Sequence, residues 1–146
     1  MIPYFRQETE YTCGKACMRM VLASLGIIKS EQELSKFMSR TKYGGTNNGD
    51  LARCAELFRL SYVVSRNGKL RDVQRLQKKG YRVIVGFTDP LEKVGHFAIV
   101  RKVTEKFVYL IDPWHGPKHK MPRQLFVRNW KSMFESDEGF LIGIKK

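Results

Sequence analysis

No run of about 18 apolar residues occurs anywhere in this chain of 146, so a membrane-spanning helix is not expected. The opening Met1-Ile2-Pro3-Tyr4-Phe5-Arg6 has no apolar h-region, so export through a signal peptide is not expected either. The reading is a cytoplasmic protein, at most one held at the inner face of a membrane. Cysteine is scarce: Cys13, Cys17 and Cys54 make an odd set of three, which argues against a disulfide framework. Acid is scarce too. Fourteen Asp and Glu against 27 Lys and Arg leave a net charge of +13, and the stretch from Pro113 to Phe134 carries Lys118, Lys120, Arg123, Arg128 and Lys131 without one acidic residue. Such a field attracts an acidic peptide, a nucleic acid or an anionic membrane surface. No familiar nucleic-acid motif accompanies it, so nucleic acid is not the expected partner. Internal repeats and low-complexity tracts are missing as well. What is present is a hydrophobic content of 42%, sufficient for one compact domain over residues 1–146 with a core of its own.

Helical signals come first along the chain. Ala16, Cys17, Met20, Val21 and Ser24 recur at helical spacing, which predicts a helix beginning near Cys13. Thr12 is placed to cap it. Ser30-Glu31-Gln32-Glu33 is a capping-box pattern, predicting a second helix from about Glu31 to Ser39 with Leu34, Phe37 and Met38 packed on the first. The segment from Thr41 to Gly49 reads as a connecting loop, its Gly44-Gly45 as a turn, and Asp50 to Arg59 as a third helix with Leu51, Cys54, Ala55 and Phe58 inward. Strands follow at Tyr62–Val64, Val83–Phe87, Phe97–Val100, Phe107–Ile111 and Phe140–Ile144. Between the first two, Asn67-Gly68 leads into a helix near Arg71 to Lys79 that Gly80 ends. His115-Gly116-Pro117-Lys118-His119 reads as a turn with two exposed histidines. Phe126 and Trp130, four apart, fit a short amphipathic helix on the sheet. The expected fold class is therefore α+β, with a helical half over about 1–60, an antiparallel sheet half over about 61–146, and a cleft between them.

Four residues stand out for chemistry. Cys13 at a helix start meets unpaired N–H groups, which favour a thiolate and, with a neighbouring imidazolium, depress a free thiol pKa of about 8.5; the helix geometry is expected to present the sulfur rather than bury it. His96 opens an apolar strand. Asp112 closes the next, and an antiparallel hairpin brings the start of one beside the end of the other, so Asp112 is expected next to His96, fixing the tautomer of the ring. As a lone carboxylate at a strand end, it is expected to matter little to stability. Gln7, six positions before Cys13, has a side-chain amide able to stabilise an oxyanion, an interaction typically worth about 3 kcal/mol of barrier. Trp114 either shields the Asp112–His96 contact or simply packs. Cys13 and Cys17 share a helical face and with His96 would make three metal ligands, but no fourth suggests itself. No metal or cofactor is expected, and Cys17 and Cys54 read as small buried hydrophobes.

The stretches Gln7 to Met20, Gly95 to Val100 and Asp112 to Gly116 resemble the nucleophile helix, histidine strand and aspartate turn of the bacteriocin-processing cysteine peptidases, family thirty-nine of the papain-like proteases, which cut leader peptides after a double glycine. The resemblance implies a papain-like fold and a thiol peptidase with Cys13 as nucleophile, His96 and Asp112 completing its triad, and Gln7 in the oxyanion hole. It also implies a peptide substrate with a glycine-rich cleavage site. Two positions depart from the family pattern: Thr12 stands where Asp is common, and Lys15 where an apolar residue or Pro is common. Both flank the cleft and bear on substrate choice. Relatives are often fused to a transporter, so this chain is either free-standing, which Met1 favours, or excised from a larger protein. The alternatives are a catalytically idle relative that binds peptides, a thiol acyltransferase sharing the same thioester, and a basic protein that binds nucleic acid or a membrane surface.

Overall fold

The computed structural model describes residues 1–38, 46–132 and 137–146. Helices lead and strands follow, in the order α1 (Cys13–Ser24), α2 (Glu31–Leu34), α3 (Asn48–Leu57), β1 (Ser61–Ser65), α4 (Leu70–Lys78), β2 (Arg82–Thr88), β3 (Gly95–Val103), β4 (Phe107–Asp112), β5 (Gly116–Pro122), α5 (Arg123–Asn129) and β6 (Phe140–Lys145). The six strands form one sheet in the order β1-β6-β2-β3-β4-β5, every neighbouring pair antiparallel. The α+β class is as expected.

Alternation along the strands divides the core in two. Ile84, Phe97, Ile99, Ile111, Phe140, Ile142 and Ile144 join residues of α1, α2 and α3 in one cluster. Their sequence neighbours Val83, Val85, Phe87, Ala98, Val100, Leu110 and Leu141 join Leu70 and Val73 of α4 and Phe126 of α5 in the other. Side chains at successive strand positions point to opposite faces, so strands covered on both sides read as unbroken apolar runs. Helices thus cover both faces, a more layered arrangement than a plain division into a helical half and a sheet half.

Several local expectations need adjustment. The capping box is present: the Glu33 N–H donates to Ser30 Oγ at 3.1 Å and the Ser30 N–H to Glu33 Oε1 at 3.1 Å. The helix it opens, however, ends at Leu34 and continues as turns to Met38; its expected end at Ser39 lies outside the described residues, as does Gly44-Gly45. Helix α3 begins two residues early because Asn47 caps it, accepting from the Asp50 N–H at 3.0 Å. The predicted turn at His115 to His119 holds for His115 alone; from Gly116 on the segment is the edge strand β5. Pro117 is tolerated there because an edge strand has one side free of ladder bonds.

Hairpin β3–β4 contains the irregularity on which the site depends. Near the turn Val103 faces Val108 and Lys102 faces Tyr109; beyond Arg101 the register has slipped by one, so Val100 faces Leu110 and Ile99 faces Ile111. Arg101 is the extra residue of a β-bulge. Extending the slipped register puts His96 across from position 114, two residues from Asp112 and on the same face. Without the bulge His96 would lie across from position 115, and Asp112 would point to the opposite face.

Candidate active site

Cys13 is the first residue of α1, and the close approach of that helix to the sheet rests on the residue after it. A Cβ added to Gly14 would meet the Cβ of Thr46 at 2.9 Å and the Phe97 ring at 3.3 Å, so the Cys-Gly pair lets the helix N-terminus press onto β3 one residue past His96. The cap differs from expectation. Thr12 makes no side-chain cap bond; its hydroxyl accepts from the Thr9 N–H at 3.0 Å and donates to the Thr9 carbonyl at 3.1 Å. Cys13 is also only 7% exposed, not presented as expected, because it packs into the core cluster that α1 shares with Phe97, Ile99 and Ile111 of the sheet.

The structure brings Cys13, His96 and Asp112 together. His96 Nε2 lies 2.8 Å from Asp112 Oδ1, which leaves Nδ1 as the free ring nitrogen, and the Cys13 thiol is close enough to act on the same ring. Phe87, across from His96 in the β2–β3 ladder, packs edge-on against it at 5.7 Å. Burial works against the imidazolium, but the bonds to Asp112 and Cys13 and their charges outweigh it and raise the His96 pKa to about 10. Burial likewise pushes the Asp112 carboxyl up. The His96 bond and charge and the backbone N–H groups of His115 and Trp114 outweigh it and hold the group below its ordinary value. For Cys17, burial and then the charges of Cys13 and Asp112 push the thiol well up, which makes it inert core, as expected.

Asp112 has a larger structural role than its strand-end position suggested. It is fully buried, and its Oδ1 accepts from the N–H groups of Trp114 at 2.8 Å and His115 at 2.9 Å as well as meeting His96. The N-terminal segment is laced to the same turn: the Tyr4 hydroxyl donates to the Asp112 carbonyl at 2.7 Å, the Gln7 N–H to the Pro113 carbonyl at 3.0 Å and the Arg6 guanidinium to the Trp114 carbonyl at 2.9 Å. Arg6 also stacks on Trp114 at 5.1 Å. This lacing carries Gln7 to the turn that holds Asp112. Gln7 is buried, its Nε2 donates one hydrogen to the Thr9 carbonyl at 2.8 Å, and its Oε1 has no partner.

Three residues escaped the sequence reading. Asp89, in the β2–β3 link, lies 2.6 Å from His115 through Oδ2 and Nε2, and the His115 ring stacks on His119 at 4.6 Å with 21° between planes. Neither histidine is an exposed loop residue; both are half-buried. Burial, foremost, lowers the His119 pKa. Sequence offered no signal for their stacking, because His115 lies in the turn before β5 and His119 within the strand. Among the described residues, the ligand-type side chains that converge are Asp112, His115 and His119 rather than the two cysteines with His96.

The model of the Peptidase C39 family matches residues 1–134. The chain belongs to the peptidase C39 family. Membership makes it a peptidase-family protein, and solved structures agree on the fold. The peptidase domain of Streptococcus ComA, a bi-functional ABC transporter involved in a quorum-sensing pathway, superposes with a TM-score of 0.78 at 18% identity, over 99% of this chain and 98% of that one. A double glycine motif protease from an AMS/PCAT transporter, solved in complex with the leader peptide, gives 0.74 at 21% identity over 100% and 93%. An uncharacterized protein of Methanothermobacter marburgensis is 28% identical over 121 residues, 83% of this C39 chain and 78% of that protein. No helix among the described residues is long and apolar enough to cross a membrane.

Proposed function

We propose that this C39-family protein is a cysteine peptidase that cleaves a peptide after a small-residue, glycine-rich sequence of the kind its transporter-linked structural neighbours process. The observation that carries the reading is one imidazole held between a thiol and a buried carboxylate, with the 2.8 Å Asp112 contact fixing the ring. His96, raised to about 10, stays protonated through neutral pH, and an imidazolium against sulfur favours the thiolate form of a nucleophile.

In the first step Cys13 Sγ attacks the scissile carbonyl carbon. The negative oxygen that forms is held by the Cys13 backbone N–H at the start of α1 and by the second hydrogen of Gln7 Nε2, the first being bound to Thr9. Collapse breaks the C–N bond as His96 gives its proton to the leaving amine, leaving a thioester on Cys13. Water then attacks the thioester with His96 taking its proton, and Cys13 is released. Asp112 keeps Nδ1 aimed at sulfur throughout. The +13 charge favours an acidic peptide, and Thr12 and Lys15, where the family pattern differs, bear on which peptide is accepted.

The test is a peptide carrying an internal Gly-Gly, offered to wild type and Cys13→Ala, together with a peptide ending in glycine aldehyde. Cleavage after the second glycine, its loss in Cys13→Ala, and aldehyde modification of Cys13 alone are expected by mass spectrometry. Modification of Cys17 or Cys54 instead, or neither cleavage nor adduct, would overturn the reading.

A further inference from the structure

Next to the His96–Asp112 contact lies a group of ligand-type side chains of which peptide cleavage uses only Asp112. One donor atom from each of Asp112, His115 and His119 falls within 4.8 Å of the other two. The stacked rings, 4.6 Å apart, set the two histidines side by side. Asp112 uses Oδ1 for His96, Trp114 and His115, whereas its Oδ2 is buried without a hydrogen-bond partner. A buried carboxylate oxygen lacking a donor is costly unless something else supplies positive charge. Asp89 meets His115 Nε2 at 2.6 Å, and a carboxylate behind a histidine is the arrangement that orients a metal-bound imidazole.

We propose that Asp112, His115 and His119 form a site for a divalent transition-metal ion of the zinc type, whose binding inhibits the enzyme reversibly. Two imidazole nitrogens and a carboxylate oxygen are a donor set that suits Zn²⁺, with the fourth position left to water. Ligand bonds of about 2.0–2.1 Å place tetrahedral donors about 3.4 Å apart, so the widest pair has to close by at most about 1.4 Å. Inhibition follows from shared use of one carboxylate: an ion on Oδ2 draws charge from the oxygen that supports the His96 imidazolium. That consequence rests on the proposed roles of Cys13, His96 and Asp112; binding of the ion does not.

The full chain is titrated with Co²⁺, followed by visible absorption, and with Zn²⁺ against a chromophoric chelator, as wild type, Cys13→Ser, His119→Ala and His119→Phe. The phenylalanine variant keeps a stacked ring without a nitrogen. One equivalent is expected to bind wild type and Cys13→Ser alike, without a sulfur-to-cobalt charge-transfer band, and both His119 variants should bind at least tenfold more weakly. Failure of wild type to bind at about 1 mM ion, or binding that is lost in Cys13→Ser and retained in the His119 variants, overturns the site. Zinc should also block cleavage by wild type, reversibly with chelator, and spare His119→Phe; equal inhibition of both overturns the regulatory role. If metal-free enzyme cleaves no peptide, the catalytic reading fails while the binding result still stands or falls by itself.

Discussion

Two histidine–aspartate pairs sit side by side, their imidazoles 6.2 Å apart. His96 meets Asp112 at 2.8 Å and His115 meets Asp89 at 2.6 Å. By distance the second pair is the better one. It differs in what the other side of the ring faces: His96 contacts the Cys13 thiol, while His115 stacks on His119. It also differs in enclosure, for the His96 side chain is 6% exposed and that of His115 15%. A histidine–carboxylate pair is therefore not by itself a sign of acid–base catalysis. On the proposed reading the third partner sets the role, and here it is supplied by α1, from the other end of the chain.

The largest expected break in this comparison is at the rings themselves. His96→Ala should lower kcat/KM for a Gly-Gly peptide by about 10³-fold or more, as loss of a general acid–base does, whereas His115→Ala should stay within about tenfold; comparable losses would make the two pairs functionally alike. Next comes the bulge. Deleting Arg101 should restore the regular register of the β3–β4 hairpin and turn Asp112 away from His96, with at least about 10²-fold loss of activity. Circular dichroism should still report a folded sheet, and unchanged activity would show that Asp112 is not the residue orienting His96.

The smallest effect is on stability against pH. The His96 pKa is raised from 6.5 to about 10, so its protonated form contributes stability that is complete below about pH 6.5 and is lost as pH climbs through about 10. The Asp112 pKa is lowered from 3.8, so its contribution is present above that value and is lost as acid takes pH through the lowered one. The Tm advantage of wild type over His96→Ala should accordingly shrink between pH 6.5 and 10. An advantage constant over that range would mean that packing, not charge, is what His96 contributes.

Much of this was legible beforehand for physical reasons. The apolar period announced α1, the apolar runs at Val83–Phe87 and Phe97–Val100 announced strands, and the β3–β4 hairpin pattern announced that Asp112 would lie next to His96. The segment from Gly116 to His119 is strand rather than the expected turn because glycine and proline are turn formers locally, yet an edge strand accepts both. Thr12 was expected to cap α1, but its hydroxyl bonds to the Thr9 backbone instead. The weight Asp112 carries in the structure was underestimated because its bonds to Trp114 and His115 arise from a turn whose shape the sequence does not state.

Residue types and their periods, read along the chain alone, determined which side chains are candidates for the chemistry, the runs that become α1 and the central strands, and that helices precede an antiparallel sheet. Only the tertiary structure decided that Arg101 is bulged out, so that Asp112 and His96 share a face, that Gly14 fits beneath Thr46 and Phe97, and that Tyr4, Arg6 and Gln7 are tied to the Asp112 turn. Side-chain period is a property of neighbours a few residues apart. Register and close approach are set by contacts between segments up to 108 positions apart, where one residue of slip reverses a face at no cost that local pattern records.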